Sequence, residues 1–208
     1  IVAGYDLAKY PDKIKQSIGY MSQKFSLYED LTIAENIRFY GGIYGLTDSE
    51  IRKKTEFMLS KLDLLKEAKT LVKALPLGWR QKLAFSVSMV HDPRIVFLDE
   101  PTGGVDPITR REFWMMIYEA ADQGTTVFVT THYMDEAEYC DRVSIMVDGR
   151  IEALDTPGNL RNEMNVDSMN DVFLTLARRA KRNIGLNNRL IQNPLNSLFH
   201  KRKGVVLR

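Results

Sequence analysis

Two acidic residues, Asp99 and Glu100, directly follow an apolar run at residues 95–98. An uninterrupted run of β-branched, aromatic and aliphatic residues predicts a strand buried on both faces, as in a parallel sheet. Because unpaired carboxylates are costly to bury, we expect both acids at the carboxyl end of the strand, where α/β folds bind ligands. Such a pair could hold Mg²⁺ and accept a proton from water. The alternative is an ordinary strand with a solvated acidic end.

The residues after this acidic pair predict a loop and then a helix. Pro101 and the pair Gly103-Gly104 interrupt the strand. Asp106 followed by Pro107 is typical of a helix start, with an N-cap acid and a proline in the first turn. We therefore predict a helix that begins after Asp106 and ends near Gln123.

Two further polar residues, Gln23 and His132, are candidates because each follows a predicted strand. Gln23 follows a short apolar strand at residues 17–21, and His132 follows a second apolar strand at 125–130. A lone histidine at a strand end is more often structural, and Gln23 alone would be a surface glutamine. The context of the two strands favours a functional interpretation of both. His91, in a His-Asp-Pro turn, is interpreted as structural.

The stretch between the first strand and the acidic pair is predicted to be mostly helical. Thr32 is expected to cap a helix that Gly45 closes, and a second helix is expected over about 49–62. A further helix should follow the segment Leu-Pro-Leu-Gly-Trp-Arg-Gln at 75–81 and run to about Val90.

The part of the chain after His132 alternates short predicted elements. The run Met-Asp-Glu-Ala-Glu-Tyr-Cys at 134–140 predicts a helix, and residues 142–147 predict a strand that turns at Asp148-Gly149 into another strand. Pro157 should start a small helix. A capping-box pattern at 168–171 predicts a last helix, which is expected to end near Ala180.

Composition fits a packed domain with a separate tail. The apolar fraction of 44% over 208 residues is enough for a core, and the single cysteine, Cys140, excludes an internal disulfide framework. The net charge of +2 divides into +7 at residues 181–208 and therefore −5 at 1–180. No window approaches the ~20 apolar residues of a membrane-spanning helix. No signal peptide is recognised, and the chain is expected to begin inside a domain.

The order of these motifs resembles the nucleotide-binding domain of ATP-binding-cassette (ABC) transporters. The matching elements are Gln23 after a strand, the helical insertion, a Leu-x-x-Gly segment, IVFLDEP, VDP and TTH, and the resemblance covers residues 1–180. It implies an α/β fold: a P-loop NTPase-like ABC ATPase core with a mostly helical subdomain at about 31–90, and with its N-terminal part missing. The segments HYMDEAEYCDRV and SMNDVFL resemble the drug- and ion-exporting subgroup that pairs with ABC-2 type membrane subunits.

The resemblance implies roles in ATP hydrolysis for the candidate residues. Asp99 would hold Mg²⁺ through coordinated water, and Glu100 would be the general base on the attacking water. Gln23 would contact both Mg²⁺ and that water, and the loop after it would face the membrane subunit. His132 would lie near the γ-phosphate. Asp106 would contact the opposing subunit of a head-to-tail dimer across the nucleotide.

Two departures from the family pattern affect this expectation. The chain contains no G-x-x-x-x-G-K-[ST] loop, whose backbone N–H groups and lysine cradle phosphates, so we expect the chain alone to be inactive. The family signature Leu-Ser-Gly-Gly-Gln appears as Leu-Pro-Leu-Gly-Trp. Gly78 is retained, whereas Pro76 replaces the serine and removes a backbone donor.

The sequence therefore predicts the ATP-binding subunit of an ABC exporter, with ATP and Mg²⁺ as cofactors. Its expected partners are a second nucleotide-binding domain and an ABC-2 type membrane subunit, at the cytoplasmic face of the cell membrane. Two alternatives stay open: a soluble ABC ATPase acting on ribosomes or DNA, and a catalytically silent partner domain. The acidic body argues against the first, and no nucleic-acid partner is expected. The tail at 181–208 is predicted to be disordered.

Overall fold

The computed structural model describes the backbone of residues 1–23, 27–188 and 204–207, and side chains within residues 1–23 and 27–180. The chain divides into two compact units, Ile1–Phe128 and Val129–Arg208, and each is described by itself. The predicted boundary at residue 180 stays a prediction. Of the tail that is predicted to be disordered, residues 181–188 are helical and 204–207 form a strand, whereas 189–203 and 208 lie outside the described chain.

The first unit holds two parallel strands and a series of helices. Its elements are α1 Pro11–Ser17, β1 Ile18–Met21, α2 Ile33–Ile43, α3 Asp48–Lys61, a 3₁₀ turn at Val72–Ala74, α4 Leu77–Ser88, β2 Ile95–Asp99 and α5 Pro107–Asp122. Strand β3, Thr126–Thr131, begins in this unit and continues into the second. Helix α1 is absent from the sequence-based expectation, because its only buried side chain, Ile14, leaves no apolar period to detect.

Strands β1 and β2 pair in parallel, as the apolar run predicts. Ile18 lies opposite Ile95 and Met21 lies opposite Leu98. The prediction that β2 is buried on both faces is correct for one face only. Val96 and Leu98 are buried, whereas Phe97 on the other face is half-buried and stacks on Phe128 with 5.3 Å between ring centroids.

Two consecutive capping boxes start the helices of the insertion. Thr32 accepts a hydrogen bond from the backbone N–H of Glu35, and the Glu35 carboxylate accepts one in return from the backbone N–H of Thr32, which confirms the predicted cap. Thr47 and Glu50 repeat this arrangement at the start of α3. Gly45, at φ +78°, follows the end of α2, in the left-handed conformation that glycine adopts without strain.

Helix α4 begins earlier than the sequence predicts. It starts at Leu77 with Pro76 as its N-cap, so that Gly78 and Trp79 belong to the first turn instead of a preceding loop. The fixed φ of proline, here −56°, is compatible with a helix start, and this is the physical reason for the difference.

The second unit contains a hairpin and two helices. Its elements are a 3₁₀ turn at Glu136–Tyr139, β4 Val143–Val147, β5 Arg150–Asp155, α6 Pro157–Met164, α7 Met169–Asn188 and β6 Gly204–Leu207. Strand β4 pairs antiparallel with β5 and with β6. The hairpin turns at Asp148 and Gly149, both at positive φ, as a two-residue turn of this kind requires.

Two predictions for this unit are corrected by the structure. The expected helix at 134–140 is only a short 3₁₀ turn, because the ten residues between His132 and Val143 leave little room for a longer element. The last helix continues to Asn188 instead of ending near Ala180. One half of its predicted capping box is observed: the Ser168 hydroxyl accepts a hydrogen bond from the backbone N–H of Asp171, while the Asp171 carboxylate accepts from that hydroxyl. Among the described residues, no helix combines the length and the apolar character needed to span a membrane.

Candidate functional site

Gln23 and Glu100 meet at the carboxyl end of the β1–β2 pair. In the strand register Met21 lies opposite Leu98, and each of the two polar residues comes two positions later. The Gln23 side chain donates a hydrogen bond from Nε2 to Oε2 of Glu100 over 2.6 Å. The parallel register therefore brings together two residues that are 77 positions apart in the sequence.

The backbone at Glu100 is held in an unusual conformation. Its φ is +48°, in the left-handed region that non-glycine residues rarely occupy. The Glu100 carbonyl accepts a hydrogen bond from the N–H of Gly103 over 3.1 Å, which closes a tight turn after the strand. Asp99, the last residue of β2, is half-buried, as is Glu100. Rare backbone conformations of this kind are concentrated at functional sites.

Asp106 caps helix α5, as predicted. Its Oδ1 accepts hydrogen bonds from the backbone N–H groups of Ile108 and Thr109, each over 3.0 Å, and its Oδ2 accepts one from the Thr109 hydroxyl over 2.5 Å. The Thr109 hydroxyl is the main reason that the pKa of Asp106 lies below its ordinary value, and the Thr109 N–H contributes next. The Asp106 side chain remains exposed.

The first turn of α4 packs against the start of α5. A Cβ atom on Gly78 would lie 2.6 Å from Cγ2 of Thr109, so no larger residue fits here without a shift. The buried Gln81 side chain donates from Nε2 to the carbonyl of Gly103 over 2.9 Å. The predicted residues Gly78 and Asp106 are therefore brought together through Thr109.

Sequence reasoning missed the contribution of Thr109. A usable signal was present, since a threonine three positions after an N-cap aspartate is placed to donate to that carboxylate. The contact of Thr109 with Gly78 has no local signal, because the two residues are 31 positions apart.

His132 belongs to the second unit, directly after β3. Its ring lies against Tyr133 with 4.2 Å between centroids, and the Tyr133 N–H donates to the Thr131 hydroxyl over 3.0 Å. The two units are described separately, so its predicted place near the γ-phosphate stays a prediction. Within the described chain, no three His, Cys, Asp or Glu side chains form a cluster that could hold a metal ion by themselves.

The chain that follows the site is fixed by one fully buried amide, that of Asn36. Its Oδ1 accepts from the Tyr28 N–H over 2.8 Å, while its Nδ2 donates to the carbonyls of Tyr28 and Thr32, each over 3.0 Å. These bonds attach the segment before α2 to the helix itself.

An exposed aromatic cluster lies beside this segment. Tyr28 contacts Phe39 with 4.8 Å between ring centroids, and Phe39 contacts Tyr40 with 5.3 Å. Tyr28, Phe39 and the neighbouring Ile43 all remain exposed. Asn36 thus supports a rigid surface that presents apolar side chains.

Comparison with known proteins gives a consistent assignment. Residues 2–103 match the family described as ABC transporter. The chain is 46% identical over 171 residues to the probable multidrug ABC transporter ATP-binding protein YbhF of Escherichia coli (strain K12), covering 82% of this chain and 30% of YbhF. It is 33% identical over 186 residues to the linearmycin resistance ATP-binding protein LnrL of Bacillus subtilis (strain 168), covering 85% of this chain and 60% of LnrL.

Solved structures show the same fold. An ATP-binding subunit of an ABC transporter superposes with a TM-score of 0.73 at 26% identity, covering 83% of this chain and 73% of that one. CbiO1 of Clostridium perfringens, part of the ABC transporter complex cbiONQ, gives a TM-score of 0.64 at 25% identity, covering 85% and 69%.

The parallel strands, the acidic pair at their carboxyl end and the helical insertion define an ABC ATPase core, and the predicted fold class is confirmed. The chain belongs to the ABC transporter family, as an ATP-binding domain. Nucleotide binding is the property that this family assignment implies. The chain spans less than a third of the length of YbhF and 60% of LnrL.

Proposed function

We propose that this chain is part of the ATP-binding subunit of an ABC exporter, in which ATP hydrolysis drives transport across a membrane. The observation that carries the proposal is the hydrogen bond from Gln23 to Glu100, directly beside Asp99 at the end of β2. Phosphoryl transfer to water needs charge neutralisation and an oriented nucleophile. A carboxylate pair next to a glutamine amide supplies groups for both tasks.

Glu100 is the proposed general base. Its carboxylate would take a proton from the attacking water, and such a base typically contributes ~10²–10⁴ in rate. The hydrogen bond from Gln23 Nε2 fixes the orientation of this carboxylate. The turn closed by Gly103 fixes the backbone beneath it.

The donor set fits Mg²⁺. This cation prefers oxygen ligands and keeps several waters, so one or two carboxylates together with substrate phosphates suffice. Gln23 donates from Nε2 to Glu100, so its amide oxygen, Oε1, is the atom that would contact a cation or a water. Asp99 and Gln23 would hold Mg²⁺, whose charge would neutralise the phosphates.

Gly78 and Asp106 are proposed to act on a nucleotide held by a second domain. The N-cap of α4, Pro76, makes no side-chain hydrogen bond, and the first turn of this helix carries the N–H groups of Leu77, Gly78 and Trp79. Helix N-termini bind phosphate through such groups. The proposed partner is therefore a second nucleotide-binding domain in a head-to-tail dimer.

The exposed aromatic cluster of Tyr28, Phe39 and Tyr40, with Ile43, is proposed as the contact for an ABC-2 type membrane subunit. Tyr28 comes five positions after Gln23 in the sequence, and its backbone is bonded to Asn36 of α2, the helix that also carries Phe39 and Tyr40. With such a partner, the chain would act at the cytoplasmic face of the cell membrane. His132 is proposed to donate a hydrogen bond toward the γ-phosphate or to support Glu100.

A catalytically silent partner domain is the second candidate. The altered signature, in which Pro76 and Leu77 replace the usual serine and glycine, favours it. Glu100 and its contact with Gln23 favour an active domain. An ABC ATPase acting on ribosomes or DNA is less compatible with the charge of −5 over residues 1–180.

The proposal is tested by reconstitution. The chain is mixed with an ATP-binding domain that carries an intact G-x-x-x-x-G-K-[ST] loop, and phosphate release and calorimetric MgATP binding are measured for each component and for the mixture. We expect turnover in the mixture and neither tight binding nor turnover by this chain alone. Co-purification with a membrane subunit, followed by ATP-dependent uptake into inverted vesicles, tests the transport role. Steady turnover by the lone chain would contradict the composite site.

A further inference from the structure

We propose that Thr109 is a positioning residue that ties the Asp106 carboxylate to Gly78, so that the two groups which this chain offers to a partner-bound nucleotide move together. The inference rests on the proposed composite ATP site and assigns a positioning role to one residue within that site. Neither the capping role of Asp106 nor the small size of Gly78 implies by itself that one residue controls the other.

The Thr109 side chain lies between two elements, because its hydroxyl oxygen is 3.2 Å from the position of a Cβ atom on Gly78 and also bonds Asp106. Its hydroxyl donates to Oδ2 of Asp106 over 2.5 Å. Its methyl carbon, Cγ2, lies 2.6 Å from the position of a Cβ atom on Gly78, against the first turn of α4. A β-branched side chain has one strongly preferred χ1 rotamer in a helix, or two for threonine. A displacement of α4 that moves Cγ2 therefore moves the hydroxyl that orients Asp106.

A second link joins the same two elements. Gln81, one turn further along α4, donates to the carbonyl of Gly103 in the loop before Asp106. Its side chain is only 6% exposed, and its Oε1 has no hydrogen-bond partner within the described residues. Loss of this buried bond would leave two further polar groups unpaired, so the contact resists separation. The start of α4 and the segment at residues 103–106 are thus connected by two contacts, one through Thr109 and one through Gln81.

The competing interpretation is a purely local cap, in which Thr109 and Asp106 stabilise the start of α5 with no reference to α4. The two interpretations differ in one respect. If the cap is purely local, a substitution at Gly78 leaves the titration of the Asp106 carboxyl unaffected. The proposed link predicts instead that the substitution alters this titration and that a smaller residue at position 109 restores it.

The test is a double-mutant cycle on the chain as it stands. In Gly78→Ala the new methyl group displaces Thr109 and weakens its bond to Asp106, so the Asp106 carboxyl should titrate at higher pH in a carbon-13 NMR titration. The double variant Gly78→Ala/Thr109→Ser removes Cγ2, retains the hydroxyl and should restore the original titration. Gly42→Ala is the matched control, because nothing lies within 4 Å of a Cβ at that helical glycine.

An unchanged Asp106 titration in Gly78→Ala, or a change that Thr109→Ser does not reverse, would overturn the proposal. If Gly78→Ala does not fold, Thr109→Ser alone decides. Loss of the methyl contact should then accelerate amide hydrogen exchange at Arg80, whose N–H donates to the Pro76 carbonyl and closes the first turn of α4, and unaltered exchange would overturn the link.

The same cycle in the reconstituted dimer separates this inference from the proposed function. Gly78→Ala should lower kcat, by up to ~10²-fold if the groups shift by about 1 Å, and the double variant should recover part of that loss. If the wild-type dimer shows no turnover, the proposed function fails while the titration cycle still decides the role of Thr109.

Discussion

Gln23 and Glu100 are joined by a 2.6 Å hydrogen bond, although strands β1 and β2 that carry them belong to distant parts of the chain. The bond directs the amide nitrogen of Gln23 at the proposed base and leaves the amide oxygen for a cation or water. One residue therefore bonds the proposed catalytic carboxylate and also precedes, in the sequence, the segment that leads to the exposed aromatic cluster. The first two predictions test these two roles.

Glu100→Gln should nearly abolish ATP hydrolysis in the reconstituted dimer, by ~10²–10⁴-fold, while MgATP binding is retained. The amide has the same shape and can still accept a hydrogen bond from Gln23, but it cannot take a proton. Phosphate release and calorimetric titration measure the two effects. Glu163→Gln, at an exposed position on α6, is the matched control. Turnover within a few-fold of wild type would refute the general-base assignment.

Gln23→Ala should lower transport more than it lowers ATP binding. The change removes the side chain that links the acidic pair to the segment before α2, so hydrolysis and movement of the membrane subunit should become uncoupled. The ratio of transported substrate to ATP hydrolysed in vesicles measures this. Gln123→Ala, at the exposed end of α5, serves as the control. An unchanged ratio at matched ATPase rates would exclude a coupling role.

Asn36→Ala should lower the free energy of unfolding by about 1–3 kcal/mol, because it removes the amide that accepts from the Tyr28 N–H and donates to the Tyr28 and Thr32 carbonyls. Chemical denaturation of the chain measures the change. Asn162→Ala, at an exposed position on α6, should have little effect. A loss below 0.5 kcal/mol would mean that Asn36 does not hold the segment in place.

His91 should make stability depend on pH below neutrality. Its ring stacks on Tyr44 with 3.5 Å between centroids, and Nε2 donates to the Ile18 carbonyl over 3.1 Å. Burial lowers the pKa of His91 below its ordinary value of about 6.5, against smaller raising effects from the Ile18 carbonyl and Asp92, and Lys54 lowers it slightly further. The unfolded chain therefore takes up this proton first as the pH falls.

The stabilising contribution is complete above about pH 6.5 and is lost as the pH falls toward the lower folded-state pKa. His91→Gln keeps a donor for Ile18 but does not titrate, so its Tm should fall less between pH 7 and pH 5 than that of wild type. His132→Gln, at an exposed position in the other unit, is the control. Equal falls in Tm for wild type and His91→Gln would contradict the prediction.

Local features of the chain were predictable from sequence, and contacts between distant segments were mostly not. The cap at Asp106, the cap at Thr32 and strand β2 follow from the types of adjacent residues. The interpretation of His91 as structural stays a prediction, and its stacking on Tyr44 is compatible with it. The early start of α4 was not predictable from sequence, because a proline such as Pro76 is compatible with both a loop and a helix start.

The proximity of Gln23 and Glu100 needed one further assumption, that their two strands are parallel neighbours. Once that is granted, the ends of the strands must meet. The meeting of Gly78 with Thr109 required the packing of α4 on α5, which no pattern of residues in either helix specifies. The relation of His132 to the acidic pair stays a prediction for the same reason.

The left-handed backbone at Glu100 has an evolutionary consequence. Such a conformation costs a residue with a side chain roughly 1–2 kcal/mol, and asparagine or glycine would adopt it more readily. Selection for heat resistance alone should therefore enrich Asn or Gly at position 100 in a mutant library, and the survivors would have lost the proposed base. A library screened for both thermal resistance and ATP turnover should instead retain glutamate there and gain its stability at other positions.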